Sequence, residues 1–208
     1  MNIAKLYEMQ KTLDARIIEE KGLRGQDLLP NTILALQVEL GEMSNEWRGF
    51  KHWSNDQEPR FEIRCAKCAG AGDHYEQYGW TPSRKPPKSK CGACNGKGHT
   101  KQPLLEEYVD CVHFFLSIAR QLGLDETDLT IIDDYLEGST TNVLTRLIYH
   151  AGGIGMKYSP YSGITSYRMA FNMFFALGQQ RFGFTLEQIE AAYLYKNRVN
   201  HERQANGY

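Results

Sequence analysis

The chain is short of several things. It has no apolar run near the roughly 20 residues that cross a bilayer, which argues against a membrane-spanning segment. It has almost no net charge, −1 at pH 7, so no global field directs it to nucleic acid or to an anionic membrane. The opening segment MNIAKLYEMQKTLDARIIEE is charged throughout and lacks the apolar core of a signal peptide. These absences point to a cytoplasmic protein. Cysteine is also sparse: there are five in 208 residues, four of them in two CxxC pairs. In a reducing compartment that pairing favours a metal over disulfides.

What is present fits a folded domain. Hydrophobic residues make up 41% and aromatics 12%, enough for one sizeable core and a small appendage. Residues 2–20 predict a helix with Ile3, Leu6, Leu13 and Ile17 on one stripe, interrupted by Gln10. A second helix is expected from Asn31 to Trp47, with Leu36, Leu40, Met43 and Trp47 in line behind Pro30. A third, from Leu104 to Gly123, is apolar almost all round, the mark of a buried helix. Further helices are expected near 126–137, 140–151, 165–182 and 185–203, the last opened by a Thr185–Gln188 capping box. Residues 54–103 break the pattern, with five of the seven prolines and no helical period. The expected fold is all-α, with a core of residues 1–60 and 101–208 interrupted by a zinc-binding insertion over 61–100.

Two acidic pairs carry the main chemical signal. Glu39 and Glu42 are spaced i, i+3 on the second helix, and Glu107 and Asp110 repeat that spacing on the third. At about 100° per residue, Glu39, Glu42 and Glu46 fall within about 60° of one another. Carboxylates on apolar helices are costly unless they share a cation. Two such helices packed together would make an oxygen-lined site for Mg²⁺, an ion that commonly handles phosphates. A solvated acidic face is the competing reading, and it is strongest for Glu46.

The insertion holds two copies of CxxCxGxG, at Cys65/Cys68 and Cys91/Cys94. Four thiolates paired on glycine-rich turns make a structural Zn²⁺ site. Cys111 stands apart as a core thiol. Between the pairs, Tyr75, Tyr78, Trp80, Arg84, Lys85, Lys88 and Lys90 mix cations with aromatics. Such a stretch binds nucleic acid in some proteins, but a solvated loop around zinc is the preferred reading.

Beyond spacing, ELGEMSNEWRGFKHWS followed by EEYVDCVHFFL resembles the dimeric, all-α dUTP diphosphatases, relatives of the MazG-type nucleoside triphosphate pyrophosphohydrolases. MQKTLD near the start and YKNRVNHERQANGY at the end resemble further motifs of that family. The resemblance implies a MazG-like helical bundle, a homodimer, and Mg²⁺-dependent hydrolysis of dUTP to dUMP and pyrophosphate. It implies that Glu39, Glu42, Glu107 and Asp110 hold the Mg²⁺. Lys196 and Arg203 are implied at phosphates, with Asn200 near the nucleoside and Gln204 in the tail motif. Gln10 and Asp14 take positions that hold base and sugar, although the family usually has Asn where this chain has Asp14. Tyr193 shares the helix face of Lys196, Asn200 and Arg203. Lys51, Trp53, His113 and Phe114 are further candidates, with Trp53 as an aromatic wall and His113 either orienting a carboxylate or packing in the core. For Gln10, a uracil edge could partner the buried amide; a core Gln bonded within the protein is the alternative. Side-chain chemistry alone leaves dCTP open as a substrate. A zinc-dependent nucleic-acid or partner-binding protein is the reading from another class.

Overall fold

The computed structural model describes residues 1–75, 88–132, 136–156 and 162–207. Among these, six helices build the core: α1 (Ile3–Glu20), α2 (Leu29–Trp47), α3 (Pro103–Gln121), α4 (Thr140–Gly153), α5 (Gly163–Gln180) and α6 (Leu186–Ala205). The fold is all-α, as expected. Its helix starts follow local chemistry. Asn2, Ser139, Ser162 and Thr185 each cap a first turn with a side-chain oxygen, and the Thr185–Gln188 capping box closes in both directions.

Helix α3 is the centre. Leu104, Tyr108, Val112, Phe115, Leu116 and Ile118 are fully buried. It packs on α1, α2, α5 and α6, while α4 lies against α2 and α5. Leu36, Leu40 and Met43 of α2 are sealed in the same core, with Trp47 at its edge. That packing turns Glu39 of α2 toward α3, because the acids flank the apolar stripe.

One expected helix is absent among the described residues. The described residues of 126–137 form a turn and irregular chain. Asp125 accepts from the backbone N–H of Thr127 at 2.8 Å and from its hydroxyl, an Asx turn that competes with helix. The β-branched run Thr130-Ile131-Ile132 then disfavours helix further. Leu129 and Leu136 are buried as anchors. Residues 133–135 lie outside the described residues, as do Tyr78, Trp80, Arg84 and Lys85 of the basic aromatic stretch, and Tyr208.

The insertion carries four short strands: β1 (Ile63–Arg64), β2 (Asp73–Tyr75), β3 (Lys88–Lys90) and β4 (His99–Lys101). They form two antiparallel pairs, β1 with β4 and β2 with β3. The two CxxCxGxG turns interlock. Cys65 N–H donates to Gly98 O at 2.8 Å and Cys91 N–H to Gly72 O at 2.9 Å. Gly72 and Gly98 have positive φ, and a Cβ on either would sit 2.5 Å from a carbonyl oxygen of the other turn. Only glycine fits both demands.

Candidate active site

The first site element is a carboxylate cluster. Glu39 from α2 and Glu107 and Asp110 from α3 each offer an oxygen, all within 4.8 Å of one another. Glu42 lies one turn further along α2, exposed at the rim, yet near enough for its charge to act on Glu39 and Glu107. Burial, then the charges of Asp110, Glu42 and Glu107, pushes Glu39 up to about 7. Burial also raises Glu107 and Asp110, against the pull of Lys196. Lys196 of α6 donates to Asp110 Oδ2. Crowded, half-buried acids with one lysine among them are a donor set that a hard divalent cation satisfies.

The raised Glu39 has a measurable consequence. Between its ordinary 4.5 and about 7, folded Glu39 keeps a proton that the unfolded chain releases. Metal-free protein should therefore lose thermal stability as pH rises through that window. Added Mg²⁺ should flatten the decline, because it replaces the proton. Melting temperatures from pH 4.5 to 8, with and without Mg²⁺, check this; a metal-free stability that climbs across the window would exclude the mutual crowding.

A cavity of about 380 Å³ opens beside the cluster, between α1, α2, α3 and α6. Of the residues expected from sequence, Gln10, Asp14, Glu39, Asp110, His113, Phe114, Lys196, Asn200, Arg203 and Gln204 line it. Tyr193 stands one layer behind, fully buried, and its hydroxyl donates to Leu6 O at 3.1 Å and to Gln10 Oε1 at 3.0 Å. Glu107 faces the cluster and is not part of the cavity wall.

Gln10 finds its partners inside the protein. Its Nε2 donates to Asp14 Oδ1 at 2.7 Å, and its Oε1 also lies 2.7 Å from His113 Nδ1. Since that oxygen only accepts, His113 Nδ1 must carry the proton. His113 stacks on Tyr193 at 4.1 Å between centroids, and burial pushes it down to about 3. It is therefore a neutral ring that fixes Gln10, with no bond to a carboxylate.

Lys51 and Trp53 are not brought to the cavity. Helix α2 stops at Arg48, which turns left-handed at φ 64° and binds Asp56. The loop so formed carries Trp53 outward, 68% exposed, edge-on to Phe50 and His52. Phe114, one turn past Asp110, supplies the cavity's aromatic surface instead.

Sequence reasoning passed over Ser117, Arg120 and Gln121, which also line the cavity. The signal was available: they continue the 110–113/114 face of α3 at three- and four-residue steps. Asp14 Oδ2 accepts from Ser117 Oγ at 2.7 Å and from Arg120 Nε at 2.9 Å.

A family model described as dUTPase matches residues 2–64 and 94–208. The chain belongs to the dUTPase family. It is accordingly a hydrolase of the dUTP diphosphatase kind. The match passes over residues 65–93 and includes every residue of the carboxylate cluster. No curated protein matches the chain. Among the described residues, no helix is long and apolar enough to cross a membrane.

The second metal-ligating cluster is Cys65, Cys68, Cys91 and Cys94. Cys65 and Cys91 sulfurs are 3.9 Å apart and those of Cys68 and Cys94 3.7 Å. A tetrahedral ion with bonds of about 2.3 Å separates its sulfurs by about 3.8 Å. Gly72 and Gly98 N–H groups donate to Cys68 and Cys94 sulfurs at 3.2 and 3.3 Å. Backbone hydrogen bonding within the Cys94 turn lowers Cys91 to about 6. The geometry and the thiolate bias both suit Zn²⁺.

Proposed function

We propose that the chain hydrolyses dUTP to dUMP and pyrophosphate in the α1–α2–α3–α6 cavity, with Mg²⁺ held by Glu39, Glu107 and Asp110, and by Glu42 from the rim. The observation that carries this is the three carboxylates within 4.8 Å beside a nucleoside-sized cavity bearing Lys196 and Arg203. Bound Mg²⁺ would neutralise phosphate oxygens and make a coordinated water acidic. The protein's own groups do the rest. Glu39 and Glu42 are the acids suited to take the proton from the attacking water. Lys196 exchanges Asp110 for a phosphate oxygen, and Arg203 gives a second cation to the chain of phosphates. Phe114 offers a face to the base, Asn200 an amide to the nucleoside, and Gln204, in the last turn of α6, a second amide from the cavity wall.

The insertion, residues 61–100, is a separate structural unit built on Zn²⁺, and the active protein is a homodimer. Leu34 and Val38 support the second point: they lie one turn apart on α2, 62% and 49% exposed, on the outer side of the helix that carries Glu39. Light scattering at several concentrations measures it.

The test is pyrophosphate release from each deoxynucleoside triphosphate at equal concentration, with Mg²⁺ and then with a chelator. dUTP should turn over fastest and only with metal. Faster turnover of dCTP, or turnover indifferent to Mg²⁺, would refute this reading.

A further inference from the structure

Arg120 is used by none of the roles above, yet it sits in the cavity wall. Its Nε donates to Asp14 Oδ2 at 2.9 Å. Asp14 is 8% exposed, and its carboxylate also takes Gln10 and Ser117. The guanidinium is thus held by a buried, fully engaged anion. An arginine has five N–H donors; Nε uses one, and the terminal nitrogens have no acceptor among the described residues. The amide N–H groups at this end are already engaged. Gln121 donates to Thr32 Oγ1 at 2.9 Å, and Gln10 is fixed by Asp14 and His113.

Charge decides what such a group binds. Asp14 neutralises Arg120, so the pair attracts a phosphate weakly but still presents directed donors, which suit a carbonyl oxygen. Position decides which carbonyl. Arg120 lies ten residues beyond Asp110 on one helix, about 15 Å at about 1.5 Å per residue. It marks the pole of the cavity away from the carboxylate cluster. In a pyrimidine nucleotide the 4-substituent lies across the ring from the nitrogen that carries the sugar, and so furthest from the phosphates. It is an oxygen in uracil and an amino group in cytosine.

We propose that Arg120, oriented by Asp14, is the specificity-determining residue that donates to the 4-carbonyl of uracil and meets the 4-amino group of cytosine donor against donor. This rests on the proposed seating of phosphates at the carboxylate cluster. Asp14 is a positioning residue here: it fixes the fork and does not touch the base.

Arg120→Lys keeps a counter-charge for Asp14 and removes the planar fork, so folding should be preserved. kcat/KM for dUTP should fall about tenfold to a hundredfold, mainly through KM, while dCTP changes less than threefold. A triphosphate of the 2-pyrimidinone deoxynucleoside, which lacks the 4-oxygen, gives a check that needs no variant. It should lose on wild type about what dUTP loses on Arg120→Lys, and the two losses together should not add. Equal losses for dUTP, dCTP and the pyrimidinone on Arg120→Lys would overturn the role of Arg120 and leave the dUTPase reading intact. Failure of the wild type to turn over any uridine nucleotide would overturn both.

Discussion

Asp110→Asn should lower kcat/KM for dUTP on the order of a thousandfold while melting no earlier than wild type. The two halves come from the same feature. Asp110 sets an oxygen within 4.8 Å of oxygens of Glu39 and Glu107 and binds Lys196. The substitution keeps shape and removes one charge from a set that needs its full negative charge to hold a divalent cation. Yet burial already works against that charge, raising Asp110 even with Lys196 beside it. Relieving it should leave stability unchanged or slightly higher, the usual exchange at a strained site. Helicity by circular dichroism, melting temperature, and Mg²⁺ affinity by calorimetry separate the effects. Metal affinity should fall with activity. Turnover near the wild-type rate would remove Asp110 from the metal site. A collapse in melting temperature would make it a structural residue instead.

How much of this site can be read in the sequence depends on how many residues a function needs within one helix. Glu39, Glu107 and Asp110 are legible because each breaks the apolar logic of its own helix, and a helix rotates such residues to one side without tertiary information. Lys196, Asn200 and Arg203 are legible for another reason: with Tyr193 they follow three- and four-residue steps that put them on one face of α6. Trp53 is not, because its direction is set by a left-handed Arg48 and by the Arg48–Asp56 ion pair, which no periodicity encodes. Gln10 shows a different limit. Its place in the stripe announces a buried amide, but the partners that satisfy it, His113 and Tyr193, come from residues 103 and 183 positions away. Arg120 is hidden in the ordinary look of a basic residue in a helix's last turn. The helix expected near 126–137 is absent among the described residues because the Asp125–Thr127 Asx turn wins there.

Replacing Cys91 by Ser should abolish stoichiometric zinc binding and unfold the insertion, yet leave dUTP turnover within about threefold. The first part is large because four-thiolate sites in small modules contribute about 10–16 kcal/mol of apparent folding free energy. Among the described residues little else holds this one together: its buried apolar side chains there are the cysteines themselves. The second part follows from where the insertion is tied. Arg60 N–H donates to Glu46 O at 2.9 Å, and Leu104 N–H donates to Arg60 O at 3.1 Å. That single residue joins the end of α2 to the start of α3 before the chain enters the module and after it returns. Phe61 adds an edge contact to Phe184 of the core. The register of Glu39 against Glu107 and Asp110 is therefore set by this clip and by the packing of α2 on α3 in the core that holds Leu36, Leu40 and Val112, upstream of any zinc. A variant is the right probe, since a chelator would also strip Mg²⁺. Amide exchange should open across 62–75 and 88–101 and stay protected in α2 and α3. Loss of turnover in Cys91→Ser, matched by exposure of α3, would mean that zinc holds the carboxylate cluster in place and that the clip does not.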